Sequence, residues 1–355
     1  MPAVTYGSAR VAAVLRDLLE GRRPDEAGAL LLAGEAEVPL LALAAGEMAR
    51  RRGAQVGYAP DVTIAYTGTC DAGCPMCGEG PAPGAAGAYR LRPEEAAARA
   101  AEAAARGAVQ AVLQGGHPRD LSWNDLMAIV RAVRAAAPGM RLVALSATDL
   151  ILWAEREGRP AAELAAGLRA AGADVLPAAA LDAVQGMRGQ EARRLLSGPW
   201  PEWEEAALAA ARTGLRLVAT LPVGAGESPR DQALYLLRLR ALQDRLLAAG
   251  SAGFTAVAVL PASARTPAYG YLRAVALARL LADNVPHVQT SVLVLGAKVA
   301  QVALGGGADD LGGTHLEVER LELAAGREGP FTPEEAERLI RDAGGEPVVR
   351  RLGEL

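Results

Sequence analysis

The 355 residues, 51% of them hydrophobic, suffice for one large α/β barrel or for two ordinary domains. The 37 basic and 41 acidic residues give a net charge of −4 without a long basic run, so we expect no nucleic acid or other polyanion as a partner. The sequence has neither an apolar stretch of about 18 residues nor a signal-peptide core, which predicts a cytoplasmic protein that does not bind membranes.

The predicted elements begin with helices and then alternate. Residues 1–58 are predicted to be mainly helical, and Asp61-Val-Thr-Ile-Ala-Tyr-Thr67 has the β-branched composition of a buried strand. From residue 93 onward, helical patterns and short apolar strands follow one another, with glycine at several helix ends. The predicted helices are 93–106, 122–136, 160–171 and 229–248, and the predicted strands are 109–114, 141–145, 175–176, 215–221 and 254–260.

This alternation predicts an α/β fold. Strands separated by helical segments of this length form βαβ units in a parallel sheet. About six such units are recognisable, fewer than the eight of a complete TIM-type barrel. We therefore predict a partial (β/α)6 barrel over residues 59–270, with a helical N-terminal extension (1–58) and a C-terminal accessory region (271–355) packed on it. An open, doubly wound sheet is the alternative.

The cysteines carry the strongest chemical signal. Cys70, Cys74 and Cys77 have the spacing C-x3-C-x2-C, follow the first predicted barrel strand and are the only cysteines of the sequence, which excludes a disulfide framework. Three thiolates on one short loop can ligate three irons of a [4Fe–4S] cluster and leave the fourth iron open. An open iron can chelate the amino and carboxylate groups of a methionine moiety. A zinc site completed by a histidine and three unrelated buried thiols are the alternatives.

At these residues the sequence resembles the radical S-adenosylmethionine superfamily. It departs at Met76, where an aromatic residue usually precedes the third cysteine, although methionine can also pack against adenine. The resemblance implies a [4Fe–4S] cluster and S-adenosyl-L-methionine as cofactors. It also implies an external one-electron reductant such as flavodoxin or ferredoxin, and a small-molecule substrate that we expect to be a carboxylated aromatic.

A narrower resemblance appears downstream. Gln114-Gly-Gly-His-Pro118 and the segments 272–289, 296–301 and 307–314 are similar to those of the menaquinone and deazaflavin group of radical enzymes. Within this group, Leu121-Ser-Trp123, the segment 146–154 and the form of 307–314 are closest to aminofutalosine synthase. That resemblance implies addition of the 5′-deoxyadenosyl radical to 3-[(1-carboxyvinyl)oxy]benzoate, which gives 6-amino-6-deoxyfutalosine in menaquinone biosynthesis.

Three alternatives stay open for the activity. One is hydrogen abstraction, as in cyclic dehypoxanthinylfutalosine synthase or the deazaflavin (FO) synthase. Another is a divergent paralogue with a different substrate, because Gly224-Ala225-Gly226-Glu227 lacks the histidine of the group's Gly-His-hydrophobic-Glu motif. The third is a zinc-binding or cluster-sensing protein without turnover.

Most of the candidate site residues lie at or just after the ends of predicted strands, as expected for a parallel barrel. The resemblance implies metal ligation by the three cysteines and catalytic roles for His117, Glu227 and His287. The predicted cofactor contacts are Tyr66, Met76, Gln114, Gly115, Gly116, Ser146, Gly224 and Glu227.

Most of these residues also have a purely structural interpretation. The two glycines can form a tight turn, Glu227 can cap the helix that begins at Pro229, and the histidines can be satisfied loop residues. Near predicted strand ends, Arg141, Arg216 and Arg265 are candidates for pairing with substrate carboxylates.

Overall fold

The computed structural model describes residues 8–70, 86–179, 200–224, 226–314 and 331–354. Within these ranges, no helix combines the length and the apolar run that crossing a bilayer requires. The described helices are α1 (Ala9–Leu19), α2 (Glu26–Glu35), α3 (Val38–Arg50), α4 (Pro93–Ala105), α5 (Trp123–Ala136), α6 (Ala147–Glu157), α7 (Ala161–Ala171), α8 (Trp200–Arg212), α9 (Pro229–Ala248), α10 (Ala268–Leu281), α11 (Ala297–Gly305) and α12 (Pro333–Asp342).

The strands form one parallel sheet in the order β10-β1-β9-β8-β7-β6-β5-β4-β3-β2. The described strands are β1 (Gln55–Ala59), β2 (Asp61–Ala65), β3 (Gln110–Gln114), β4 (Arg141–Ala144), β5 (Val175–Ala179), β6 (Arg216–Val223), β7 (Phe254–Pro261), β8 (His287–Gln289), β9 (Asp310–Gly313) and β10 (Glu346–Val349).

Strands β1 and β2 are one run of chain interrupted only by Pro60. The first half of the run pairs with β9 and β10, and the second half pairs with β3. Proline has no N–H to give to a ladder, so the change of partner falls where a hydrogen bond is missing in any case. This run therefore joins the two ends of the strand series β3–β9 and closes the sheet into a barrel.

The parallel α/β architecture that the alternation predicted is confirmed, whereas the count of six strands is not. Strands β8, β9 and β10 continue the same sheet, although they come from the region that the sequence assigned to a C-terminal accessory layer. The predicted glycines at helix ends, such as Gly172 and Gly214, do adopt positive φ. Thr332 caps α12, since its Oγ1 accepts a hydrogen bond from Glu335 N at 3.2 Å.

Large aromatic side chains fill the layer between sheet and helices. Trp153 on α6 and Trp203 on α8 are fully buried, and the ring of Trp203 stacks on Phe254 of β7 with centroids 6.1 Å apart. The ring of Trp123 on α5 meets Trp153 edge-on, with centroids 5.7 Å apart. These three tryptophans are therefore core residues.

A second apolar layer lies inside the barrel. Side chains that share the inward face of consecutive strands pack together with Leu352 from the C-terminal tail (350–354). The strand residues of this layer are Val112, Val143, Val175, Val218, Ala256 and Ala258. The layer divides the interior into two ends, which we call the mouth, at the C-terminal ends of the strands, and the base, at their N-terminal ends.

Candidate active site

The described cysteine, Cys70, lies at the mouth just beyond β2 and is partly exposed. Cys74, Cys77 and Met76 lie outside the described residues. The chain that enters and leaves the segment 71–85 is paired: Leu91 N donates to Tyr66 O at 2.8 Å, and Gly68 N donates to Tyr89 O at 3.0 Å. The residues that flank the cysteine segment are therefore anchored together over the end of β2.

Gly115 and Gly116 follow β3 and touch the chain around Cys70. A Cβ atom on Gly116 would lie 2.1 Å from Thr69 O and 2.6 Å from the Cβ of Cys70, and one on Gly115 would lie 2.7 Å from the Tyr66 ring. Neither glycine has a positive φ. Glycine is therefore required here for close approach to the cysteine-bearing chain rather than for an unusual turn.

Tyr66, a predicted cofactor contact, is fully buried, and its hydroxyl donates to Gly116 O at 3.2 Å. Burial raises the pKa of Tyr66 well above its usual range, and the nearby charges of Asp149 and Cys70 raise it further. The phenol therefore stays protonated and supports the glycine pair. The neighbouring candidate Gln114 is exposed, and its position in register with Ala65 places it on the inward face at the mouth.

His117 pairs with a carboxylate that the sequence analysis did not identify. Its Nε2 atom lies 2.7 Å from Oδ1 of Asp149, and its ring centroid lies 6.2 Å from that of Trp153. Asp149 is the third residue of α6, and its backbone N donates to Oγ of the predicted cofactor contact Ser146 at 3.2 Å. The Ser-x-x-Asp spacing, typical of a helix start, was the available signal.

Leu145 lies between β4 and this helix cap and has a φ of 58°. It is the non-glycine residue with positive φ in the described ranges. Such a conformation costs a bulky side chain on the order of 1–2 kcal/mol and concentrates at functional sites. It turns the chain sharply between the end of β4 and the start of α6, where Asp149 meets His117.

Gly224 and Glu227 form a compact turn after β6. Oε1 of Glu227 accepts hydrogen bonds from Gly224 N at 2.6 Å and from Gln232 Nε2 at 3.1 Å. Gly224 has a φ of 88°, and a Cβ there would lie 2.7 Å from Oγ1 of Thr266. Glu227 therefore organises its own loop at the mouth, and Ala225 lies outside the described residues.

His287 is not brought together with the other predicted catalytic residues. It is the first residue of β8 and pairs with Ala256 near the start of β7, so it lies at the base. The resemblance implied a catalytic role for it, and the three-residue strand that places it at the base was not recognised from the sequence. Arg141 and Arg216 are the first residues of β4 and β6 and also lie at the base, whereas Arg265 follows β7 and is exposed.

Comparison with known proteins identifies relatives of this chain. Residues 257–353 match the family model described as the CofH/MqnC C-terminal region. The chain is 32% identical over 351 residues to a 5-amino-6-(D-ribitylamino)uracil–L-tyrosine 4-hydroxyphenyl transferase from Methanosphaerula palustris, an alignment that covers 93% of this chain and 94% of the relative. It is 34% identical over 317 residues to FO synthase from Mycobacterium tuberculosis, covering 84% of this chain but only 36% of that enzyme's length.

Solved structures agree on the fold. Methylornithine synthase (PylB) superposes with a TM-score of 0.69 at 16% identity, over 94% of this chain and 97% of the other. The FeFe-hydrogenase maturase HydG from Carboxydothermus hydrogenoformans also superposes with a TM-score of 0.69, at 14% identity, over 96% of this chain and 80% of the other.

The relatives point to the deazaflavin side of the group rather than to aminofutalosine synthase, which the sequence pattern favoured. The chain belongs to the radical S-adenosylmethionine enzymes of the FO synthase family, with a [4Fe–4S] cluster and S-adenosylmethionine as cofactors.

Proposed function

We propose that this chain transfers a 4-hydroxyphenyl group from L-tyrosine to 5-amino-6-(D-ribitylamino)uracil. The observation that carries the proposal is the end-to-end similarity to a transferase of that name, over 93% of this chain and 94% of the relative. A second transferase of the same name, from Methanopyrus kandleri, is 30% identical over 84% of this chain and 83% of its own length. The FO synthases are longer, and this chain spans about a third of their length.

The residues at the mouth fit the two cofactors. Cys70 supplies a thiolate at the C-terminal end of β2, and Gly115 and Gly116 keep the adjacent backbone free of the Cβ atoms that would collide with it. Together with Cys74 and Cys77 of the sequence, this donor set suits three irons of a cluster with one open vertex. When bound, the cluster supplies the electron that cleaves S-adenosylmethionine to a 5′-deoxyadenosyl radical.

His117 and Asp149 provide a site for proton transfer next to Gly116, which touches the chain at Cys70. A carboxylate only accepts hydrogen bonds, so we assign a proton to Nε2, which faces Asp149. A proton from substrate would then add to Nδ1, and Asp149 would stabilise the resulting cation. Asp149 thereby acts through His117 as a positioning residue.

The barrel interior above the apolar layer offers a wall for an aromatic substrate. Leu260 shares the inward face of β7 with Ala256 and Ala258, but it is 41% exposed, whereas the rest of β7 is buried. Thr220 pairs with Ala258 in register, and Gln114 extends the same inward face at the mouth. An exposed apolar side chain with nearby polar groups is typical of a small-molecule site.

An aminofutalosine synthase-like addition is the second candidate. It is favoured by the segments 121–123, 146–154 and 307–314, which resemble that enzyme more than its sisters. The two reactions differ in the fate of the adenosyl group. Hydrogen abstraction releases 5′-deoxyadenosine, whereas addition retains adenosine in the product.

A product assay separates the candidates. Anaerobically reconstituted protein, with dithionite and S-adenosylmethionine, is incubated either with ring- and side-chain-deuterated L-tyrosine plus 5-amino-6-(D-ribitylamino)uracil, or with 3-[(1-carboxyvinyl)oxy]benzoate. We expect a coupled product only from the first pair of substrates. Cys70→Ala is the control and is expected to form no product. An adenosyl adduct from the benzoate alone would replace the proposal with the second candidate. The absence of product from both substrate sets would reject both.

A further inference from the structure

The base of the barrel carries cationic side chains on the inward face. Arg141 precedes the layer residue Val143 by two positions, and Arg216 pairs in register with Val175, so both arginines point to the interior. His287 pairs with Ala256 and shares this face. The three side chains line a cavity of about 830 Å³, together with Arg52, Arg350 and Glu354.

The two inward arginines have few partners. In the described part of the chain, the side chain of Arg216 makes no hydrogen bond or ion pair, and its Nη1 atom is buried. Nε of Arg141 is likewise buried without a partner, and its guanidinium meets Glu354 only at 3.5 Å. Glu354 is held instead by Arg351, whose Nε donates to Oε1 at 2.6 Å and whose backbone N donates to Oε2 at 2.9 Å.

His287 adds a third unused polar atom. Its Nδ1 lies 2.9 Å from Oδ2 of Asp309, whose other oxygen, Oδ1, pairs with Arg279 at 2.6 Å. Both oxygens of Asp309 therefore already have side-chain partners. Nε2 of His287 is buried, and no acceptor or donor within the described ranges contacts it.

Unpaired buried donors are costly, and planar guanidinium groups match the oxygens of phosphates and carboxylates. We propose that the base of the barrel binds a small oxyanion, of the phosphate or carboxylate class, between Arg141, Arg216 and His287. The apolar layer of Val143, Val175 and Leu352 separates this site from the mouth. It is therefore a second binding site, apart from the one at which the radical reaction is proposed.

Isothermal titration of the reconstituted holoenzyme with inorganic phosphate, and separately with succinate, tests this inference at ionic strength matched with sodium chloride. We expect binding of at least one of the two anions, weakened about tenfold or more in Arg216→Gln and Arg141→Gln. Arg212→Gln, an exposed arginine at the end of α8, is the matched control and is expected to bind as the wild type does. The anion that binds identifies the class.

A variant that is expected to bind the anion more tightly keeps the test informative, because misfolding would not increase affinity. Glu354→Gln removes a carboxylate that lines the cavity and repels an anion, so we expect tighter binding of the same anion. No heat of binding above the chloride control for either anion would overturn the proposal. Equal losses in Arg212→Gln and Arg216→Gln, or unchanged affinity in all variants, would also overturn it, because the anion would then bind elsewhere. None of these outcomes depends on which substrate the mouth uses.

Discussion

Nε2 of His117 lies 2.7 Å from Oδ1 of Asp149, and this contact joins the loop after β3 to the first turn of α6. Both side chains are mostly buried, with 18% and 21% of their surfaces exposed, so the hydrogen bond is protected from water. His117 directly follows Gly116, the glycine that touches the chain at Cys70. Because we propose that the pair transfers a proton and does not hold a cofactor, its loss should affect turnover more than cofactor binding.

For Asp149→Asn we expect product formation to fall about a hundredfold, the lower end of what acid–base catalysis contributes. The amide can donate to His117 and so favours the wrong tautomer. Cluster content and S-adenosylmethionine affinity should stay near wild type, which is checked by iron analysis and titration. Asp125→Asn is the matched control, since Asp125 holds the same helix position in the cap of Ser122 on α5. Equal losses in both variants would contradict a role for the pair.

Gly116→Ala should disturb the metal centre itself. The added Cβ would lie 2.1 Å from Thr69 O, so the chain that carries Cys70 must shift. We expect overpacking to cost about 1–3 kcal/mol and the reconstituted protein to bind less iron and sulfide per chain. Gly139→Ala, where a Cβ meets no atom within 4 Å, serves as control. Normal iron and sulfide content in Gly116→Ala would show that the close approach is not required.

Glu227 separates loop organisation from a direct charge effect. Glu227→Ala leaves the exposed Gly224 N without its acceptor, which should cost about 0.5–1.5 kcal/mol of stability and weaken S-adenosylmethionine binding. Glu227→Gln keeps an acceptor oxygen and is expected to retain affinity within about threefold. Titration of both variants with S-adenosylmethionine, combined with thermal unfolding, makes the comparison. If Glu227→Gln lost as much S-adenosylmethionine affinity as Glu227→Ala, the result would instead indicate that the carboxylate charge is needed.

The buried ion pair at the base should dominate stability there. Arg279 is 1% exposed, and Asp309 is the carboxylate that pairs with it. Asp309→Asn leaves a buried charge without its partner, so we expect a loss of about 3–5 kcal/mol in the free energy of unfolding. Asp283→Asn, which removes a more exposed pair with Arg23, should cost less than about 1 kcal/mol. The free energies of unfolding are measured by chemical denaturation. Similar losses in Asp309→Asn and Asp283→Asn would contradict the expectation that the buried pair contributes more.

The same pair predicts an acid dependence. Burial alone would raise the pKa of Asp309, but the hydrogen bond from His287 and the charge of Arg279 outweigh it and hold that pKa below its usual value. A lowered folded pKa contributes stability that is complete above the unfolded value, about 3.9, and is lost as pH falls through the folded value. The Tm difference between wild type and Asp309→Asn should therefore shrink below about pH 4. A difference independent of pH would contradict this assignment.

Much of the fold could be predicted from local pattern. Strands such as Arg216–Val223 and Phe254–Pro261 are long and apolar, and the helices between them carry clear caps. β8 and β9 were missed because three or four residues that include His, Gln, Asp and Gly show no strand periodicity. β1 was also missed, because residues 1–58 were predicted to be mainly helical, and Pro60 hid its continuity with β2, since proline normally argues against a central strand.

Candidate site residues could be recognised from the sequence where they are close together along the chain. The cysteine spacing and the Gly115–Gly116 pair were recognised, although the glycines serve close approach rather than a turn. Asp149 was missed because its contact with His117 spans 32 residues and depends on how α6 docks. The position of His287 at the base could not be predicted for a similar reason, since only the register with Ala256 reveals its depth.

The run through Pro60 has a consequence for synthesis of the chain. Gly57 takes its ladder partner from Asp310, and Gln55 from Glu346, so these pairings span most of the polypeptide. On a ribosome, β1 must wait unpaired until residue 310 has emerged, whereas β2 can already pair with β3. Barrel closure is therefore among the last events of folding, and nascent chains halted before residue 310 would expose the edge of β1 to chaperones or to aggregation.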